Sequence, residues 1–187
     1  MNKKIVFTLA VVFLVAIFVL SSCSLFKELP DKYIKRGILA VNSGFADGAI
    51  QNLEEALSLI DSYDVEKKSH VNLYIGWAYY IKNDYDKAEN YFDKARLYCK
   101  TADLYSGVLL NYSAKGDYQS CVSFSHLIDE IPYDWSLKVN GETILKNVVQ
   151  KSLGVSYAFL NDYNKYVQYR SYIPEKEQLK IEEVFFQ

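Results

Sequence analysis

From residue 31 onward apolar side chains return every three to four positions, broken at short intervals by Asn, Gly and Asp. That rhythm belongs to helices that bury one face. It predicts helix pairs over 31–43 and 46–61, 68–83 and 85–99, 102–115 and 118–131, and 142–161 and 163–172, with a final helix over 175–186. Three of the turns read alike: Asn83-Asp84-Tyr85, Gly116-Asp117-Tyr118 and Asn161-Asp162-Tyr163. Asn or Gly closes one helix, Asp caps the next, and Tyr is placed to plug the open end of the hairpin. The turns recur at 33 and then 45 residues, counted from tyrosine to tyrosine. Against a period of about 34 residues, roughly five extra residues fall near 62–67 and roughly eleven over 132–141. The second insertion holds both Pro132 and Trp135 and is the expected irregular loop.

The first residues follow a different pattern. Asn2-Lys3-Lys4 is a short positive stretch, and residues 5–20 are apolar except for Thr8. Sixteen apolar residues fall short of the roughly 20 that a helix needs to span a bilayer, and match the core of a signal peptide. The run ends in Leu20-Ser21-Ser22-Cys23, which resembles the lipobox of bacterial lipoproteins. The resemblance implies a signal peptide over 1–22, cleavage before Cys23, a diacylglycerol on its thiol and a lipidated tether over 23–30. An uncleaved signal anchor and an ordinary signal peptide ending near a cysteine remain as alternatives. Ser24 occupies the position where Asp would indicate inner-membrane retention. The expected location is therefore the outer membrane in a cell that has one, and the cell membrane otherwise.

The helical part resembles the tetratricopeptide repeat (TPR), and the second unit carries the likeness best. Ile75, Gly76 and Tyr79 are followed by Ala88, Phe92 and Ala95, with Asn72 and Lys100 departing from the pattern. The first unit keeps Tyr33, Gly37, Ala49, Leu53 and Ala56; the fourth keeps Leu153, Gly154 and Tyr157 but has Tyr166 and Arg170 in its second helix. The third is weakest: Tyr105, Val108, Tyr112 and Cys121 fit, while Leu109 and Ser125 do not. The resemblance implies an all-α superhelix (solenoid) of about four hairpins over 31–173. Residues 174–187 would form a helix that caps the open end, or alternatively a tail that binds a partner.

First helices of TPR hairpins line the concave wall that receives peptides. Carried over residue by residue, that wall comprises Ile34, Ile38, His70, Leu73, Trp77, Tyr80, Leu110, Lys151, Val155 and Phe159, with Val41, Asp103 and Ser106 beside them. The wall is apolar and aromatic, which suits an amphipathic helix or hydrophobic segment, and Trp77 and Tyr80 are the expected anchors. The competing expectation is that several of these residues pack against a neighbouring hairpin or the terminal helix.

Composition narrows the chemistry. Two of the 21 basic residues precede Cys23, leaving 19 against 23 carboxylates and no basic block. A nucleic-acid partner is therefore not expected. His70 and His126 lack companions at ligand spacing, so no metal is expected. No nucleophile elbow, phosphate loop or dinucleotide fingerprint is present, and no cofactor follows. In the TPR arrangement that the resemblance implies, Cys99 and Cys121 would fall about 16 Å apart along roughly parallel second helices, beyond disulfide reach. The expected function is a lipid-anchored, non-enzymatic scaffold or assembly factor in the cell envelope, binding an envelope protein or hydrophobic peptide. The alternative is a component that holds a small hydrophobic ligand for an envelope transport system.

Overall fold

The computed structural model describes residues 29–186. The expected signal peptide and Cys23 lie outside the described residues. The order is α1 Pro30–Asn42, α2 Ala46–Leu59, α3 Val65–Ile81, α4 Tyr85–Arg96, α5 Ala102–Lys115 and α6 Tyr118–Ser123, then a 3-10 segment Ser125–Glu130. A two-stranded hairpin follows, β1 Ser136–Val139 and β2 Glu142–Leu145, before α7 Lys146–Phe159, α8 Tyr163–Tyr169 and α9 Glu175–Phe185. The fold is all-α apart from that small sheet.

The turns form as their residues dictate. Asn83, Gly116 and Asn161 hold φ of 58°, 80° and 56°. This left-handed conformation ends a helix at little steric expense for Gly and Asn. Asp84, Asp117 and Asp162 then accept from the backbone N–H three residues on, at Lys87, Ser120 and Lys165. Each such cap is worth about 1 kcal/mol. The tyrosine that follows does not always plug its own hairpin: Tyr118 stacks on Phe159 of the next one, with centroids 4.2 Å apart.

Consecutive helices pack against each other, and first helices also touch first helices: α1 meets α3, α3 meets α5, and α5 meets α7. This leaves α3 and α5 covered on most sides. Buried residues run almost unbroken from Val71 to Ala78 and from Ser106 to Tyr112. Small residues admit the crossings. A Cβ at Gly76 would lie 2.6 Å from the Phe92 ring, and one at Gly154 would lie 2.9 Å from the Cβ of Tyr169. Gly37 stands in the same relation to Leu53.

Two expectations are corrected. The helix expected over 118–131 stops at Ser123, whose hydroxyl donates back to the carbonyl of Gln119 at 2.7 Å. Ser and Phe in sequence hold a helix weakly, and Phe124 leaves the helix to stack on Tyr112. The second correction concerns 132–145. Its last ten residues form a hairpin, so the helix expected over 142–161 begins at Lys146. The strands pair Ser136 with Leu145 and Val139 with Glu142 around Asn140-Gly141, both at positive φ. Asn-Gly between alternating apolar residues is the strongest local hairpin signal. Leu137, Val139 and Ile144 face the core, while Ser136, Lys138 and Thr143 are exposed.

Candidate partner-binding face

The expected concave wall is occupied by the chain itself over most of its length. At its far end, α9 lies against α7. Glu177 pairs with Lys151 at 2.8 Å, and Phe185 meets Phe159 edge-on at 4.8 Å. Val155 packs in the same small cluster with Ile181, Phe185 and Phe186. Tyr166 donates to Glu182, and Arg170 pairs with the same carboxylate at 2.6 Å. The terminal helix thus contacts three of the wall residues, Lys151, Val155 and Phe159, and leaves Phe159 43% exposed.

In the middle, the β-hairpin covers the wall. It leaves the stack beside the start of α5, where the Trp135 indole N–H donates to the Asp103 carboxylate at 2.8 Å. Its tip reaches the far end of α1: Asn140 N–H donates to the Val41 carbonyl at 3.0 Å, and Gly141 N–H to that of Asn42 at 2.7 Å. Asp103 gathers this region. Its carboxylate also accepts from the Tyr74 hydroxyl at 3.4 Å, and its carbonyl from the Trp77 indole at 3.2 Å. Burial, followed by the neighbouring Asp103 charge, pushes the Tyr74 phenol up to about 12, so it stays a donor at neutral pH. Ser106, also fully buried, returns its hydroxyl to the Ala102 carbonyl.

Trp77 is 0% exposed, which corrects its expected role as a partner anchor. Tyr80 and Phe92 meet it edge-on at 5.4 and 5.7 Å, and a Cβ on Gly107 would fall 3.3 Å from its ring. Leu73 and Leu110 are core residues for the same reason. Tyr80 is half-buried.

What stays open is the near end. A groove of about 400 Å³ runs between α1 and α3, lined by Asp31, Ile34, Lys35, Ile38, Leu39, Lys67 and His70. Ile34, Ile38 and His70 were expected to share a face, and the structure brings them together. Ile34 forms the floor and Ile38 a half-buried wall. Leu39 stands 55% exposed and was absent from the sequence expectation, because the repeat pattern assigns it no inward position. His70 lies edge-on to Tyr74 at 5.1 Å. Partial burial lowers its pKa, with Asp103 opposing, so the neutral ring faces the groove at pH 7. Lys67 and Asp31 pair across one end at 3.1 Å. The site is an apolar trough with one ion pair at its end and no nucleophile beside a base.

A second, more polar hollow of about 580 Å³ lies on the opposite layer among Asp47, Glu54, Tyr79, Lys82 and Lys87. Its charges largely satisfy one another, Lys82 with Asp47 and Lys87 with Asp84. Among the described residues no three His, Cys, Asp or Glu side chains converge as a metal site requires, and no helix is long and apolar enough to cross a membrane. Cys99 and Cys121 are free and buried. No family model and no curated protein matches the chain.

Proposed function

We propose that this chain is a lipid-anchored bacterial lipoprotein of the TPR type that uses the trough between α1 and α3 to hold an apolar segment of an envelope protein. The carrying observation is that this trough is the stretch of the first-helix wall that neither the β-hairpin nor α9 covers. A half-buried isoleucine beside an exposed leucine, rimmed by charges, is the pattern of a helix-in-groove site. Near-neutral charge argues against nucleic acid. The alternative, a small hydrophobic ligand beneath Trp77, finds less support because Tyr80, Phe92 and Gly107 fill the space around that ring.

A photoreactive residue at Leu39 tests the reading in native envelopes. Capture of a defined protein, reduced at least tenfold by Ile38→Asp, is the expected result. Capture of small molecules alone, or capture that ignores Ile38→Asp, would overturn it. The anchor is tested separately: Cys23→Ser should move the protein into the soluble fraction.

A further inference from the structure

We propose that one edge of the helical stack, built from the loops between hairpins, rests on a zwitterionic lipid surface with Tyr63, Tyr98 and Tyr133 at the headgroup layer. This rests on the lipid-anchor reading of Cys23.

Antiparallel helices alternate between two edges. The start of α1, the loop from α2 to α3, the loop from α4 to α5 and the approach to β1 share one of them. Contacts hold that edge together. Lys67 at the start of α3 pairs with Asp31 at the start of α1, Trp135 binds Asp103 at the start of α5, and Lys146 donates to the Ile131 carbonyl at 2.6 Å. Four of the five most exposed large apolar side chains of the described residues gather here: Tyr133 at 93%, Tyr63 at 90%, Leu29 at 73% and Leu97 at 70%, with Tyr98 beside them. The opposite edge consists mainly of the Asn/Gly-Asp turns and the end of α9, with Val184 at 70%, Phe45 at 67% and Tyr163 at 50% its most exposed large apolar groups.

Folding gains nothing from leaving these residues in water, and tyrosines concentrate where an apolar body meets a wet boundary. The chain itself says what covers them. Leu29 starts on this edge, and Cys23 precedes it by six residues. At full extension that segment spans at most roughly 20 Å, so an acylated Cys23 holds this edge against the bilayer. Asp61, Asp64 and Asp134 lie among the aromatics together with Lys68 and Lys100, so charges of both signs are mixed there. The surface is therefore not a cationic patch for anionic lipid, and contact is apolar and insensitive to salt.

The full chain, isolated from membranes, is reconstituted into vesicles of phosphatidylethanolamine and phosphatidylcholine with brominated acyl chains. Tyr63→Trp and Tyr133→Trp are compared with Phe45→Trp on the opposite edge, after subtracting the signal of unsubstituted protein. Quenching at positions 63 and 133 at least twice that at 45, unchanged in 0.5 M salt, is expected. Equal quenching at both edges, in protein whose N-terminal peptide mass shows an acylated Cys23, overturns the orientation while sparing the anchor. An unacylated Cys23 in protein that fails to join the vesicles removes the anchor and this inference with it.

Discussion

The crossing of α3, α4 and α5 offers a test whose sign should reverse with a single partner residue. Phe92 is 1% exposed. A Cβ on Gly107 would lie 2.7 Å from both Cε1 and Cζ of its ring, where ordinary contact begins at 3.4 Å. The ring would have to move by several tenths of an ångström, with Gly76 closing on Cδ1 and Cε1 from α3. Overpacking of this kind costs about 1–3 kcal/mol. Against it stands the helix propensity of Ala over Gly, about 1 kcal/mol. Gly107→Ala should therefore destabilise the protein by a net of about 1 kcal/mol. Leucine at position 92 has no atoms where Cε1 and Cζ stand. In a Phe92→Leu background the clash disappears, and Gly107→Ala should stabilise by about 0.5–1 kcal/mol, tempered by the 3.3 Å approach to Trp77. Urea unfolding of the four proteins, followed by helical circular dichroism, gives the coupling, expected near 2 kcal/mol and inside the range known for residues in contact. Additivity within about 0.5 kcal/mol would refute the packing described for this crossing.

Three further outcomes follow from the same structure. Trp135→Phe keeps the ring but leaves Asp103 without its 2.8 Å donor; a loss of about 1.5–3 kcal/mol is expected, with faster amide exchange at Asn140 and Gly141 than at α3. Burial raises the Tyr74 and Tyr112 phenols to about 12 from an ordinary 10. The fold favours the neutral forms, so their contribution is complete below pH 10 and is lost as pH rises toward 12; urea midpoints should fall across that window, in step with phenolate absorbance. Burial also lifts the Cys121 thiol to about 11, and a disulfide reagent at pH 8 should modify it at the rate of global unfolding.

Much of the stack was legible because its signals are local. The αL residue and the Asp after it specify each turn without help from elsewhere, and Asn83-Asp84 and Asn161-Asp162 form as read. Gly37, Gly76 and Gly154 mark crossings because contact with a partner helix leaves no room for a side chain. The fate of the wall could not be read this way. Whether Trp77 faces a partner or the core depends on Phe92 of α4 and Gly107 of α5 closing around its ring, and no periodicity within α3 records their arrival. The hairpin itself was signposted by Asn140-Gly141, with Leu137, Val139 and Ile144 alternating around it. Extending the helical period through 142–145 hid that signal, since Ile144 and Leu145 also satisfy a helix face. The early end of α6 depended on Phe124 preferring the ring of Tyr112, a tertiary choice.

The bonds from Asn140 and Gly141 to Val41 and Asn42 join segments almost a hundred residues apart. In an array where each unit touches only its neighbours, stability is a sum of local terms and the ends can fray one unit at a time. Here the first hairpin is buckled to the region between the third and fourth, so opening either end strains the other. Unfolding should proceed as a single transition, and refolding should wait for that late, long-range closure rather than spread outward from one well-formed unit.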